Sequence, residues 1–321
     1  MNDLSILLYK KLYLMRRAEE FIVKKYPEDE MKTPMHMSMG QEAVPAGICH
    51  ALGEAGQIFA TYRSHAAFLA KTEDVELFFA ELYGKETGTA QGKSGSMHLA
   101  APALGHMCSS AIVASCIPVA VGAAYANKLK TNGRIACVFF GDGALDEGVF
   151  WESLNVASLM QIPVLMVCED NGFAVHTPSR IRRGYSHILD VVKQFRCHAV
   201  AGDTTDVEAI HRLTLDAMRR IRETSQPVFM NLKCYRYLEH VGIYEDFDAG
   251  YRSRAEYDAW HQRDSVAMQR HRLAAAGVDM EAIRHIEQAI EERIIRSIEK
   301  AQTAPFPEPA ALYQGVFYEG S

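Results

Sequence analysis

The stretch that decides the fold is RIACVFFGDGALDEGVFWESLNVASLMQIPVLMVCEDN, residues 134–171. It contains two short apolar segments, Arg134–Phe140 and Pro163–Cys168, and each is typical of a buried strand. The segment between them, Ala144–Gln161, carries apolar side chains at helical spacing and predicts a helix. Two strands of one sheet joined by a helix must run parallel, with a right-handed crossover. The sequence therefore predicts a parallel strand–helix–strand unit.

The rest of the chain extends this unit into an α/β fold. Two more strands are predicted at Cys197–Ala201 and Pro227–Lys233, with a helix at Val207–Ser225 between them. Strands that alternate with helices predict a doubly wound parallel sheet with flanking helices. Upstream, residues 41–130 predict helices separated by glycine-rich loops, and the small-residue run Ile112–Tyr125 predicts a buried core element.

The sequence predicts a single domain, residues 1–321, with helical segments at both ends. An amphipathic pattern indicates a helical N-terminal extension over residues 1–30. The C-terminal region, residues 255–321, is predicted to be helical and to end in a proline-containing tail. Its clearest helix covers residues 279–300, where Asp279 is the expected N-cap.

Composition excludes several classes of protein. The net charge of −6 provides no basic face for nucleic acid or for an anionic membrane. No apolar run approaches the roughly 20 residues that span a bilayer. The N-terminus lacks the cationic start of a signal peptide. The seven cysteines are scattered and contain no CxxC pair, so we expect a reduced, cytoplasmic protein.

Polar side chains follow two consecutive predicted strands. Asp142 comes directly after the first, between two glycines, and Asn171 follows the second. Parallel strands end on the same edge of the sheet, where open α/β folds bind their ligands. Asp142 and Asn171, with a nearby backbone carbonyl and a ligand's diphosphate, therefore suit Mg²⁺, which prefers oxygen ligands. Taken alone, the Gly-Asp-Gly sequence would more often be an ordinary turn.

The pattern resembles the thiamine diphosphate motif, in which Gly-Asp-Gly is followed after about 26 residues by Asn-Asn. Here the first of those asparagines is Asp170. Further stretches, in the same order, make the chain similar to the alpha subunit of the decarboxylating component of 2-oxo acid dehydrogenases, the pyruvate, branched-chain and acetoin enzymes. They span about residues 8–315 and are Met35-His36, Gly40–Ala43, Thr61–His65, Glu81–Lys85, Gly92–His98, Ala111–Val113, and Tyr235–Tyr237 with His240.

The resemblance implies a set of cofactor contacts. Tyr62, Arg63 and Arg236 match residues that surround the diphosphate, to which a guanidinium can offer two donors. Mg²⁺ would be bound by Asp142, Asn171 and the backbone carbonyl of Phe173, and Gly143 and Ala144 would also contact the cofactor. Ala111 and Val113 match a Gly-Ile-Val-Gly stretch that contacts the aminopyrimidine, although both of its glycines are alanines here (Ala111 and Ala114).

Two histidines match active-site positions of this family. His36 corresponds to a substrate contact, and His240 lies on the irregular loop 237–254, where it could orient or protonate an intermediate. The loop contains no serine or threonine between His240 and Ser253, so phosphorylation at the family's usual site is not expected. Its acidic residues, Glu245, Asp246 and Asp248, are either a solvated face or part of an altered acceptor site.

The family implies decarboxylation of a 2-oxo acid, or cleavage of acetoin, with acyl transfer to a lipoyl carrier. A beta subunit would supply the glutamate that activates the aminopyrimidine, in a heterotetramer, and a lipoyl-bearing acyltransferase would be a further partner. The run Ala111–Ala126 would then lie partly in the subunit interface. Two alternatives stay open: a lipoyl-independent carboligase that uses the same cofactor, and an inactive homologue that only binds a partner.

Overall fold

A computed structural model describes residues 2–315 of the chain, and the end of the predicted tail, residues 316–321, lies outside the described residues. The main sheet has six parallel strands in the order β2-β1-β3-β4-β8-β7, and β5 and β6 form a small antiparallel hairpin. The strands are β1 (Gln57–Thr61), β2 (His106–Ser110), β3 (Ala136–Gly141), β4 (Val164–Asp170), β5 (Phe173–Ala174), β6 (Thr177–Pro178), β7 (His198–Gly202) and β8 (Val228–Lys233).

Helices cover both faces of this sheet, so the predicted doubly wound fold is confirmed. They are α1 (Asn2–Lys25), α2 (Ala43–Leu52), α3 (His65–Thr72), α4 (Val75–Leu82), α5 (Cys116–Leu129), α6 (Gly148–Leu159), α7 (Ile188–Val192), α8 (Val207–Thr224), α9 (Arg254–His261), α10 (Ser265–Ala275) and α11 (Met280–Thr303). None of the described helices is long and apolar enough to cross a membrane. The assignment of residues 1–321 to a single domain stays a prediction.

The central strand β3 shows why both faces need cover. Its side chains alternate: Cys137 and Phe139 pack into the core that includes α1 to α4, whereas Val138 and Phe140 pack into the core under α5 and α6. This alternation is the two-residue period of a strand. Each fully buried aromatic side chain contributes about 1.5–3 kcal/mol, so a strand that is apolar on both sides is stable only between two layers of helices.

The prediction that residues 41–130 form only helices and loops is wrong. Strands β1 and β2 lie in this region and form one side of the sheet, with β1 between β2 and β3. Strand β2 (HMCSS) contains buried His106 and Ser109 rather than an apolar run. Its extended conformation therefore comes from pairing with β1, a tertiary contact that local pattern does not report.

The small-residue run Ile112–Tyr125 is not uniformly buried, which corrects the prediction of a core element. Helix α5 buries one face, whereas Val119 is 52% exposed and Leu129 is 67% exposed on the other. We use the name apolar strip for the exposed side chains of α5 and α6. They are Val119, Tyr125, Leu129, Val156 and Leu159.

The C-terminal helix agrees with its prediction. The Asp279 carboxylate accepts a hydrogen bond of 3.0 Å from the backbone N–H of Glu281 and caps α11. Ile283, Ile294 and Ile298 on its inner side are buried. The N-terminal helix α1 ends at Lys25, before the short 3₁₀ turn Tyr26–Glu28.

Candidate functional site

The carboxyl ends of β1, β3, β4 and β8 meet at one edge of the sheet. Gly141 of β3 pairs with Glu169 of β4, and Asp170 pairs with Lys233 of β8. The residues that follow these strands therefore surround one cleft of about 270 Å³. Four larger clefts, of about 700, 630, 560 and 370 Å³, lie elsewhere on the surface and contain none of the predicted site residues.

Most of the predicted cofactor residues line this cleft, as the resemblance to one cofactor site implies. His36 and Ala111 are outside the lining, and Asp142 lies buried beside it. Gln41, Asp146, Glu147 and Glu169 line the cleft without having been predicted. The predicted residues that do line it are Tyr62, Arg63, Val113, Gly143, Ala144, Asn171, Phe173, Arg236 and His240.

Asp142 has one carboxylate oxygen free for a ligand. Its side chain is 1% exposed, and Oδ2 accepts hydrogen bonds from Arg182 at 2.5 Å and Arg183 at 3.2 Å. Oδ1 is buried and has no hydrogen-bond partner among residues 2–315. Burial and the nearby Asp170 carboxylate raise the pKa of Asp142, and the two arginines oppose this rise. A buried oxygen without a partner is costly unless a ligand satisfies it.

The oxygen donors at this edge suit Mg²⁺. The amide oxygen of Asn171 accepts a 3.0 Å hydrogen bond from the backbone N–H of Phe173, which fixes the turn into β5. Carboxylate, amide and carbonyl oxygens are hard ligands of the kind that Mg²⁺ binds. No cluster of three His, Cys, Asp or Glu side chains suited to a metal occurs within residues 2–315. A cation here would therefore need further oxygen ligands from a small molecule that binds with it.

Asp170, which replaces the first asparagine of the thiamine diphosphate motif, has a structural role. Its Oδ2 accepts hydrogen bonds from Lys233 at 2.6 Å and from Asn231 at 3.1 Å, and its Oδ1 accepts one from Gly172 at 3.1 Å. These bonds tie β4 to β8 and to the turn that carries Asn171. The departure from the motif is thus compensated within the sheet, because Lys233 neutralises the added charge.

Arg63 joins the cleft to the His240 loop. One of its nitrogens donates to the Met37 carbonyl at 2.6 Å, and the other donates to the His240 carbonyl at 2.8 Å. The second nitrogen is also 3.3 Å from Nδ1 of His240. Because a guanidinium only donates, Nδ1 must accept, and the ring proton of His240 is assigned to Nε2.

The two predicted catalytic histidines lie together with Tyr62. The His36 ring is 4.6 Å from Tyr62 and 5.4 Å from His240, measured between centroids. Burial and the Arg63 guanidinium lower the pKa of His36 to about 3 and that of His240 to about 3. Both imidazoles are therefore neutral near pH 7. The His240 ring is therefore a neutral hydrogen-bond donor through Nε2 rather than a cation.

The loop after β8 is held by a buried ion pair at Asp246, so a fully solvated acidic face is wrong. The Arg252 side chain is buried and donates to Asp246 through Nε at 2.7 Å and to the Leu238 carbonyl at 3.0 Å. Tyr251 donates its hydroxyl to Asp246 and accepts a 2.8 Å hydrogen bond from Arg236. These contacts position the segment that carries His240.

The other two acids of that loop are exposed, and the prediction of an altered acceptor site is untested. Glu245 pairs with Arg254 at 2.8 Å on the surface. Asp248 is exposed and has no ion-pair partner among the described residues.

The loop 111–114 shows the cost of losing a glycine. Ala114 is buried and has a φ of 62°, which is the left-handed region that glycine adopts without strain. Its neighbour Val113 lines the cleft, whereas Ile112 is 72% exposed. The alanine at position 114 therefore holds, at a cost in strain, a conformation that glycine would adopt freely.

Sequence reasoning missed Glu169 and the arginine pair at 182 and 183. Burial raises the pKa of Glu169 to about 8, and Arg63 opposes this rise. Glu169 follows the predicted strand Pro163–Cys168 but belongs to β4 in the structure, where its pairing with Gly141 places it at the cleft. Arg182 and Arg183 are adjacent basic residues without a matched motif, so no local signal connected them with Asp142.

Comparisons with known proteins show the family of this chain. The family model of the dehydrogenase E1 component matches residues 10–310. The alpha subunit of acetoin:2,6-dichlorophenolindophenol oxidoreductase from Cupriavidus necator is 31% identical over 318 residues, which cover 98% of this chain and 95% of the relative. The corresponding subunit from Bacillus subtilis is 28% identical, covering 98% of this chain and 94% of the relative.

A pyruvate dehydrogenase E1 component subunit alpha resembles the chain as closely. The protein from Porphyra purpurea is 30% identical over 320 residues, covering 97% of this chain and 92% of the relative. These matches confirm the resemblance to the alpha subunit of 2-oxo acid dehydrogenases, and with it the dependence on thiamine diphosphate. The two alternative functions, a carboligase and an inactive homologue, are not favoured. This chain belongs to the dehydrogenase E1 component family.

Proposed function

We propose that this chain is the alpha subunit of an enzyme that decarboxylates a 2-oxo acid, or cleaves acetoin, and passes the acyl group to a lipoyl carrier. The observation that carries the proposal is the free Oδ1 of Asp142, buried at the edge of the sheet where Asn171 also lies. The relatives' names point to pyruvate and acetoin as the first substrates to test.

Different residues of the cleft would bind the metal ion and the diphosphate. Asp142, Asn171 and the carbonyl of Phe173 would hold Mg²⁺, while Arg63 and Arg236 would bind the diphosphate. When bound, thiamine diphosphate supplies the electron sink that makes loss of CO₂ possible. The protein's part is orientation and electrostatics, because the organic step belongs to the cofactor.

His240 would act on the substrate as a neutral donor. Its Nδ1 faces Arg63, so Nε2–H is the group left to hydrogen-bond a carboxylate or carbonyl oxygen of the substrate. Arg63 also holds the His240 carbonyl, which keeps the ring at the mouth of the cleft. His36 packs against His240 and would complete the substrate contact.

A second subunit would complete the site. The apolar strip supports this partner, since exposed apolar side chains on two helices that pack together commonly mark an interface. We infer that the partner is a beta subunit that supplies the glutamate for the aminopyrimidine, in a heterotetramer. The proposed cytoplasmic location is supported by the seven cysteines, none of which forms a disulfide in the described chain.

The test is reductive acylation of a lipoyl domain by the purified chain, with and without its second subunit. Pyruvate, a branched-chain 2-oxo acid and acetoin are compared in the presence of thiamine diphosphate and Mg²⁺. We expect acylation with one of them, and only when both subunits are present. Acyl transfer to an added aldehyde without lipoyl acylation would instead support a carboligase, and sustained CO₂ release by the chain alone would refute the divided site.

A further inference from the structure

Two adjacent arginines contact one carboxylate oxygen of Asp142, the predicted metal ligand. Arg182 and Arg183 both donate to Oδ2 of Asp142, at 2.5 and 3.2 Å, and Arg183 also donates to the Asp142 carbonyl at 3.1 Å. Arg182 additionally pairs with Asp146 and donates through Nε to the Thr177 carbonyl at 3.0 Å. These bonds hold the segment after β6 against the metal site.

The arginines leave Asp142 with an unusual electrostatic balance. Asp142 and Asp146 carry two negative charges, and the two guanidinium groups in contact with them carry two positive charges. A guanidinium stays charged at every physiological pH. A bare divalent cation at Oδ1 would therefore meet a carboxylate that is already neutralised, and it would be repelled by both arginines.

A cation that arrives with a diphosphate meets a different balance. The phosphate oxygens supply negative charge and metal ligands together, as Mg²⁺ sites with few protein carboxylates require. The added anion also interacts favourably with the arginines, so their repulsion of the metal is offset. The site can thus accept the complex while rejecting the free ion.

We propose that Arg182 and Arg183 determine the specificity of this metal site, making it bind a divalent cation only together with a diphosphate. This inference rests on the assignment of Asp142 as a metal ligand. The proposal gives a role to two residues that contact the carboxylate of Asp142 rather than the cation itself.

The experiment measures Mn²⁺ as a probe of the Mg²⁺ site, by the electron paramagnetic resonance signal of the free ion. The full chain, together with its second subunit, is titrated with Mn²⁺ in the absence and presence of thiamine diphosphate. In the double variant Arg182→Gln/Arg183→Gln we expect Mn²⁺ affinity without diphosphate to rise at least about tenfold. Affinity in the presence of thiamine diphosphate should change much less.

Matched variants separate charge from position. Arg180 lies two residues away, is exposed and has no acidic partner among residues 2–315, so Arg180→Gln should leave both affinities unchanged. Arg182→Lys/Arg183→Lys keeps the charge and should still exclude free Mn²⁺. Each single glutamine variant should shift affinity in the same direction by a smaller factor, and thermal melting confirms that each variant is folded.

Unchanged or weaker binding of free Mn²⁺ in the double glutamine variant would overturn the proposal and leave the arginines as supports for Asp142. The variant Asp142→Asn tests the underlying assignment separately. If it binds Mn²⁺ with thiamine diphosphate as tightly as the unaltered chain does, the metal site itself is misassigned, whatever the arginine variants show.

Discussion

Replacement of Asp246 by asparagine should release the loop that carries His240. The substitution removes the charge that the buried Arg252 guanidinium faces, while Arg252 keeps its contacts with the carbonyls of Arg236 and Leu238. Loss of one partner of a buried ion pair costs about 3–5 kcal/mol. Because Arg252 keeps its carbonyl contacts, we expect Asp246→Asn to cost about 3 kcal/mol, the lower end of this range. Since 1.4 kcal/mol is a factor of ten, the detached loop should become more than about a hundredfold more populated.

Two measurements follow this change. Chymotrypsin should cut the variant rapidly next to Tyr244, which is exposed on the loop, and turnover should fall because His240 is no longer held over the cleft. The control is Asp248→Asn, which removes the same charge from an exposed position of the same loop. Equal cleavage rates and equal turnover in the two variants would refute the positioning role of Asp246.

Further predictions concern the metal site, the strained loop and pH. Asn171→Ala and Asp142→Asn should each abolish Mg²⁺-dependent binding of thiamine diphosphate with little change in melting temperature, as calorimetry would show; retained affinity in both would contradict the assignment. Ala114→Gly should raise the free energy of unfolding by about 1 kcal/mol, because it relieves a left-handed alanine, and urea denaturation measures this; a decrease would mean that the lost methyl packing outweighs the strain. His36 and His240 have folded pKa values of about 3, below the unfolded value, so their contribution to stability is fully present above pH 6.5 and is lost as pH falls towards 3. Between pH 7.5 and 5.5 the free energy of unfolding should fall by roughly 1.4 kcal/mol per histidine, and less in the double variant His36→Asn/His240→Asn. His240→Ala should lower single-turnover rates roughly a hundredfold with cofactor affinity retained, and an unchanged rate would make His240 structural.

Electrostatics at the cleft explains why these effects are separable. Arg63 faces the histidines, Arg182 and Arg183 face Asp142, and Arg252 faces Asp246. Arg63 therefore supports the neutral donor, the pair Arg182 and Arg183 supports the predicted metal ligand, and Arg252 supports the loop that carries His240. A substitution in one pair should change one readout first, which is the basis for comparing cofactor affinity, proteolysis and turnover.

The sequence by itself determined the strand–helix–strand unit from Arg134 to Asn171 and placed Asp142 and Asn171 at one sheet edge. Local periodicity reports burial along a single element, and the handedness of the crossover then leaves one arrangement. The motifs shared with a known family predicted the cofactor and many of the residues that line the cleft. These inferences needed only spacing and chemical type along the chain.

Tertiary structure alone decided the features that join distant parts of the chain. Strand β1 forms because it pairs with β2 and β3, and β2 forms because it pairs with β1, since their sequences do not alternate clearly. Asp246 is half-buried because Arg252 and Tyr251 bond to it, and Asp142 contacts two arginines that lie 40 and 41 residues later. Charge pairing of this kind depends on which side chains packing brings within about 4 Å, and residue pattern along one element does not contain that distance.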